Sequence, residues 1–386
     1  MKKGWLTKTL AEVCQIKPPK SEARDKVSAS SLVSFVPMED MGIDVKFVQA
    51  PQTKPLSAVV GSYTYFADGD VLLAKITPCI ENGKLGIANG LKNGIGFGSS
   101  EYFVFRPDQT VSKEWLYYFL SRERFRIEGA ARMSGAVGHK RVSKEFIEEY
   151  PIPIPPLAEQ QRIVGLLDEA IEGLATAKAN AEKNLQNARA LFESHLQSVF
   201  TQRGNGWVET TLEKISTNLD SKRVPITKNV RSSGEYPYYG ASGIVDYVAD
   251  YIFEGDNLLV SEDGANLLAR STPIAFSVSG KYWVNNHAHI LHFENMATQR
   301  FAEFYLESIK LDDYITGAAQ PKLNQKALNS IPIPIPKSVE TQAKIVEQVV
   351  SLQKETQCLA RIYERKLAAL AELKKSLLHQ AFTGEL

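Results

Sequence analysis

Between Leu157 and Phe200 the residues Val164, Leu167, Ile171, Leu174, Ala181, Leu185, Ala188, Phe192 and Val199 keep intervals built from threes and fours, and no proline interrupts them. That spacing places them on one stripe of an α-helix. The pattern returns from about Val339 to Phe382, where Ile345, Val349, Leu352, Leu359, Tyr363, Leu370, Leu373 and Leu377 follow similar spacing. Each stretch predicts a helix of about 44 residues and roughly 65 Å, against about 12 residues for an ordinary globular helix. A helix of that length needs something to cover its stripe. Two such stripes cover each other in a coiled coil, with Leu167, Leu174, Ala181, Leu185, Ala188 and Phe192 on one helix and Val349, Leu352, Leu359, Tyr363, Leu370 and Leu377 on the other. The alternative, each helix lying on its own domain, fits the length less well.

Ahead of each helix the pattern changes. Pro151-Ile152-Pro153-Ile154-Pro155 returns as Pro332-Ile333-Pro334-Ile335-Pro336. Proline fixes φ and lacks the N–H, so each is an extended strap. The repeat reaches back further: Gly4-Trp5-Leu6 with Thr9-Leu10 returns as Gly206-Trp207-Val208 with Thr211-Leu212, and Gly69-Asp70-Val71-Leu72-Leu73 as Gly255-Asp256-Asn257-Leu258-Leu259. The chain is therefore written twice, as domain 1–150, strap and helix 151–203, domain 204–331, strap and helix 332–386. This order predicts antiparallel helices, approximate two-fold symmetry, and Gly384-Glu385-Leu386 lying near Gly4-Trp5.

Inside the domains, β-rich runs at Gly61–Phe66, Tyr102–Phe105 and Tyr282–Val284 accompany helices near Trp115–Arg126 and Thr298–Ile309. The predicted fold is α+β: two quasi-repeated mixed α/β domains joined by two long antiparallel helices forming a coiled coil.

Composition changes this picture little. With 386 residues, 44% hydrophobic and 23% charged, the chain has material for more than one core. No run approaches the roughly 20 apolar residues of a membrane helix, and Met1-Lys2-Lys3-Gly4-Trp5 lacks a signal peptide's apolar run, so a cytoplasmic protein without membrane contact is expected. Cys14, Cys79 and Cys358 form neither a disulfide framework nor a zinc set. A net charge of +1 offers no electrostatic argument for a nucleic-acid partner, although a local basic face is compatible with it.

There is no Gly-x-x-x-x-Gly-Lys-Ser/Thr phosphate loop and no Asn/Asp-Pro-Pro-Tyr/Phe tetrapeptide of the kind amino-methyltransferases use. Gly94-Ile95-Gly96-Phe97-Gly98 reads as a loop feeding the Tyr102–Phe105 strand. In a strand His287 and His289 share a face while His292 points the other way, and without carboxylates or cysteines nearby in the sequence the three do not read as a metal site. Asp70, Glu81 and Lys84 are too loosely spaced for a nuclease cluster, and Gly69-Asp70 and Gly255-Asp256 read as turns into buried strands. No catalytic residue, metal or cofactor is expected in this chain.

Two domains separated by Pro-Ile-Pro-Ile-Pro straps, each followed by a Glu-x-Gln helix start (Glu159-Gln160-Gln161, Glu340-Thr341-Gln342), resemble the specificity subunits of Type I restriction-modification systems. So do the closing Ala381-Phe382-Thr383-Gly384-Glu385-Leu386 and the loop before the second strap, Gly317-Ala318-Ala319-Gln320-Pro321-Lys322-Leu323-Asn324. The first half departs there, reading Ser134-Gly135-Ala136-Val137-Gly138-His139-Lys140-Arg141. The resemblance implies a non-catalytic subunit in which each domain reads half of a split, asymmetric site on double-stranded DNA while the helices set the spacing. It also implies two methyltransferase subunits docked on the helices and restriction-translocase subunits beside them. S-adenosylmethionine, ATP and Mg²⁺ would then belong to those partners. The alternatives left open are a coiled-coil adaptor without sequence readout and a DNA-modifying enzyme of unrecognised type.

Base readout needs side chains with paired donors and acceptors on loops or helix ends. In the first domain Lys75, Thr77, Asn82, Lys84, His139, Lys140 and Arg141 are the candidates. In the second they are Tyr238, Tyr239, Ser242, Asp263, Asn266, Asn285, Asn286, His287, Lys322 and Asn324.

Overall fold

A computed structural model describes residues 4–136, 140–317 and 319–386. The chain divides into two units, 1–180 with 366–386 and 181–365, so that each long helix contributes to both. The helices are continuous over Leu157–Thr201 and Val339–Thr383, 45 residues each.

Each unit holds two four-stranded sheets. In the first unit one sheet runs Cys14–Ile16, Tyr102–Pro107, Val71–Ala74, Leu85–Ile87, with all neighbours antiparallel. The other runs Gln52–Pro55, Leu32–Val36, Ile95–Gly98, Thr64–Ala67, and its central pair is parallel. The second unit repeats both plans. An antiparallel sheet is ordered Thr217–Asn218, Ala288–His292, Asn257–Ser261, Ala275–Val278. A mixed sheet is ordered Gly243–Val248, Ser233–Gly240, Lys281–Val284, Phe253–Glu254. Gly69 and Gly255, at φ +91° and +98°, turn the chain into the fully buried strands Val71–Ala74 and Asn257–Ser261.

Two readings of the domains are corrected. The glycine-rich segment is not a loop: Ile95–Gly98 is a buried central strand, and a Cβ on Gly96 would lie 2.1 Å from the Phe66 ring. The single helix expected over Trp115–Arg126 is two, Lys113–Ser121 and Glu123–Ala131, because Arg122 takes an extended conformation between them.

The straps show why proline alternates with isoleucine. Pro151–Ile154 pairs antiparallel with Leu6–Thr9, and Pro332–Pro336 with Trp207–Thr211, each as a sheet of two strands. In such a ladder alternate residues direct N–H and C=O to the partner, and the same alternation separates the two faces. Isoleucine therefore takes the positions that bond and face the core, where Ile152 and Ile333 are fully buried, while proline occupies the outward edge that needs no N–H. On that edge the Pro153 carbonyl accepts the Trp115 Nε1–H at 3.0 Å.

Each end of a long helix packs on a domain as well as on the other helix. In the first unit Ile163, Val164 and Leu167 share a core with Leu378, Ala381 and Phe382. Arg162 donates to the Leu386 carbonyl at 2.8 Å, so the segments run antiparallel. Trp115 stands between Trp5 and Phe382, at centroid distances of 5.7 and 4.4 Å, which brings the last helical turn beside the first strand as the repeat order predicts. The second unit has the same aromatic triplet in Trp207, Phe301 and Phe200. There Leu196 and Phe200 share a core with Val349, and Arg189 pairs with Glu364 at 2.9 Å. Of the residues assigned to the seam, Leu167, Ala181, Ala188 and Val349 are buried and Leu174, Leu185, Phe192, Leu352, Tyr363, Leu370 and Leu377 half-buried. Leu359 is a correction at 41% exposed, because the stripe passes instead through Thr356, 5% exposed, and Ala360. No described helix is long and apolar enough to cross a membrane.

Candidate nucleic-acid interface

In each unit the strand that follows the Gly-Asp turn ends against the loop that precedes the strap. In the first unit Ile76 bridges Arg141, the Thr77 N–H donates to the Lys140 carbonyl at 3.0 Å, and the Val142 N–H to the Lys75 carbonyl at 3.0 Å. In the second Asp263 bridges Lys322, the Gly264 N–H donates to the Pro321 carbonyl at 3.0 Å, and the Leu323 N–H to the Glu262 carbonyl at 2.8 Å. By these bridges Ile76 and Asp263 are equivalent, and so are Arg141 and Lys322, each of which stands ten residues before the first proline of its strap. Ser143 and Asn324, the next residues but one, each cap a short helix by accepting the N–H three positions on. The two pre-strap loops differ in sequence and occupy one structural role.

These junctions gather most of the candidates. In the first unit Lys75, Thr77, Lys140 and Arg141 meet, with Asn82 exposed on the turn that follows. Burial lowers the pKa of Lys75, whose ammonium lies 5.6 Å over the Phe103 ring. Thr77 donates to Glu81 at 3.0 Å, Lys84 to the Met38 carbonyl at 2.6 Å, and Arg141 holds both oxygens of Glu101 at 2.8 and 2.9 Å. His139 falls outside the described residues. Asp70, by contrast, is held in the sheet by Arg106 at 2.8 Å, so Asp70, Glu81 and Lys84 sit in three separate networks.

In the second unit four segments converge. The Glu262 N–H donates to the His287 carbonyl, the Asn285 N–H to the Tyr239 carbonyl, and the Ser261 hydroxyl to the Ala241 carbonyl, all beside the Asp263–Lys322 bridge. His287 pairs with Asp263 at 2.8 Å, while Ser242, Asn286 and His287 are exposed. Tyr239 is half-buried with its ring against Tyr282. Several candidates instead serve the scaffold. Tyr238 is 1% exposed and its hydroxyl bonds the backbone of Ile226, which removes it from any DNA surface. Asn285 is 8% exposed and accepts from the His287 N–H at 2.8 Å. Asn266 closes its own loop through Ser271 and Thr272, and Asn324 is the helix cap already described.

Behind this junction lies a group that pattern reading missed. Asp220, Glu262 and His289 are buried, with ligand atoms within 4.8 Å of one another. His289 Nδ1 lies 2.5 Å from Asp220 and Nε2 2.8 Å from the Leu323 carbonyl, so both ring nitrogens are engaged. Arg223 reaches Glu262 at 2.6 Å and Asp220 at 3.5 Å, and Lys322 reaches Glu262 at 3.2 Å. Burial by itself raises both acids; His289 and Arg223 outweigh it, with the Ile290 N–H at Asp220 and Lys322 at Glu262, and hold both below the usual carboxylate range. With two basic side chains already seated and both imidazole nitrogens engaged, the cluster does not fit a metal ion. It is an internal salt network that ties the core strand Ala288–His292 to Lys322. His287 and His292 are directed elsewhere, to Asp263 and Asn257.

The fold has known counterparts. A chain from a solved structure on complex assembly and conformational transition of the type I R-M system matches 100% of this chain and 99% of its own at 18% identity, with a TM-score of 0.80. The HsdS subunit from Thermoanaerobacter tengcongensis matches 100% of this chain and 98% of its own at 17% identity, with a TM-score of 0.67. In sequence, the chain is similar to the Type I restriction enzyme EcoEI specificity subunit of Escherichia coli, 40% identical over 42% of this chain, and to the EcoAI specificity subunit, 38% identical over 42%. The chain spans 27% of the length of either relative. The model of the Type I restriction modification DNA specificity domain matches residues 2–185 and 204–365. Since those two matches account for most of the sequence, the chain belongs to the Type I restriction modification DNA specificity family.

Proposed function

We propose that this chain is the address-reading subunit of a Type I restriction-modification complex, in which each domain reads one half of a split, asymmetric DNA site. The observation that carries this reading is the pair of junctions. The same strand end and pre-strap loop meet in both domains, yet they present Asn82, Lys140 and Arg141 in one and Asn286, His287 and Lys322 in the other. Equal placement with unequal side chains is what two different half-sites require. The long helices join the domains and set the gap, and two methyltransferase subunits dock on them, with restriction-translocase subunits added for cleavage. S-adenosylmethionine, ATP and Mg²⁺ belong to those partners, and base flipping occurs in the methyltransferases.

The test is a methylation map. The chain is co-produced with its methyltransferase in a methylation-free host, and modified adenines are sequenced with and without it. A two-part motif that depends on the chain is the expected result. Unchanged methylation in an assembled complex would return the adaptor reading to first place, and S-adenosylmethionine binding by the isolated chain would point to an enzyme.

A further inference from the structure

Each long helix buries one glutamine in its first turns, Gln160 at 0% and Gln342 at 4% exposed. Gln160 Oε1 accepts from the Ser112 N–H at 2.9 Å, and its Nε2 donates to the carbonyls of Thr110 at 2.8 Å and Pro155 at 2.9 Å. Gln342 Nε2 donates to the Pro336 carbonyl at 2.7 Å, and its Oε1 accepts from the Thr298 hydroxyl at 2.6 Å. Pro155 and Pro336 are the last residues of the two straps. Ser112 caps the domain helix Lys113–Ser121, and Thr298 is the residue whose N–H is capped by Asn295 in the domain helix Met296–Ser308. In both units one amide thus fastens the end of the strap and the start of the spacer helix to the start of a domain helix.

The chemistry calls for glutamine. Each site offers carbonyls that need a donor and a donor that needs an acceptor, and a primary amide supplies both from one plane. Glutamate lacks the donor and would set a buried charge against carbonyl oxygens; methionine supplies neither. Because each misplacement leaves polar groups unpaired in apolar surroundings, the bonds select one geometry.

We propose that Gln160 and Gln342 are positioning residues that set the angle at which each recognition domain leaves its helix, and thereby the gap between half-sites that the complex accepts. This rests on the two-half-site reading above. One base pair of gap moves a half-site about 3.4 Å along the duplex and turns it by roughly 35°. A joint locked by the amide rejects that turn, whereas a joint without it swivels on a strap that is one of only two strands.

The full complex carrying Gln160→Met, Gln342→Met or both is assayed by methylation of a DNA library with fixed half-sites and gaps one or two base pairs longer or shorter. Each single variant is expected to lose at least tenfold of the preference for the wild-type gap, the double variant more, with half-site sequences unchanged. Val33→Ala, a core change in the cluster of Phe35, Tyr65 and Phe97 that holds no residue of a strap or spacer helix, keeps the wild-type preference. Circular dichroism checks folding; where Gln160→Met does not fold, Gln160→Asn, whose amide stops one methylene short, is judged by the same criterion. An unaltered gap preference in the glutamine variants, or an equal loss in Val33→Ala, overturns the proposal. A wild-type complex with no split target overturns the half-site reading instead, a separate result.

Discussion

In the first domain the junction between strand end and pre-strap loop is made through Ile76, and its ion pair, Arg141 with Glu101, lies toward the surface at 46% and 22% side-chain exposure. In the second domain it is made through Asp263, and the neighbouring Glu262 is 9% exposed and surrounded by Arg223, His289 and Lys322. Strand order, glycine turn, capped helix and strap are the same in both. The shared topology fixes where the junction is, and what stands behind it is free to change from apolar to ionic. A scaffold with that division of labour changes its reading surface without changing its frame.

The largest effect that would sharpen this contrast comes from Asp220→Ala. It leaves the buried His289 without its Nδ1 partner and takes from Arg223 the second of its two carboxylates, which costs about 3–5 kcal/mol in comparable buried pairs. Urea unfolding is expected to show this loss, whereas Glu101→Ala, at a water-screened pair, shows little. A small loss at Asp220 would mean that the network is wet, and the contrast would fail.

Acid acts on the same network more gently. Asp220 and Glu262 are held low in the folded state, so the stability they contribute is complete above the ordinary carboxylate range, near pH 4–5, and is lost as pH falls through their lowered folded values. Glu22 and Glu128 of the first unit are also lowered, but they lie near the surface, where water screens the effect. Hydrogen exchange in Ala288–His292 is therefore expected to rise before that in Val71–Ala74 on acidification. The reverse order would place the weaker junction in the first domain.

Smaller still is the effect at single readers. Asn286→Ala is expected to weaken discrimination at one base of one half-site by about 1–3 kcal/mol, and Asn82→Ala to do so at the other. Equal loss at both half-sites for either variant would break the assignment of one domain to each. At the bottom of the scale, Leu359→Ser is expected to change stability by less than about 0.5 kcal/mol, because the residue is off the stripe. A larger loss would restore it to the seam.

The helices and straps were legible because their signals are periodic and covalent: threes and fours over many turns, and prolines that forbid a helix. The seam was misread at Leu359 because Thr356, which takes the inward place, carries a methyl group and satisfies its hydroxyl on the Leu352 carbonyl at 2.8 Å, so it does not announce itself as apolar. The break at Arg122 was hidden for a similar reason, since nothing in Ser121-Arg122-Glu123 forbids a helix. The ionic network could not be assembled from sequence, as Asp220, Glu262, His289 and Lys322 lie on four separate segments. The acidic Glu262, two residues beyond the apolar run Leu258-Leu259-Val260, was the available signal. The glutamines were half visible: matching Glu159 to Glu340 pairs Gln161 with Gln342, yet the buried counterpart is Gln160, because the second strap reaches its glutamine one residue later.

The strand Leu6–Thr9 is hydrogen-bonded along its length to the strap Pro151–Ile154, and Trp207–Thr211 to Pro332–Pro336. Where a domain begins and where it finishes are therefore neighbours in one ladder, the arrangement that lets domains be exchanged or re-ordered within a chain. Genetic recombination that cuts within two such ladders would transplant a whole reading head and leave the spacer helices intact. On the half-site reading proposed above, a new target then needs one crossover at each margin of a domain, with no redesign of the protein between them.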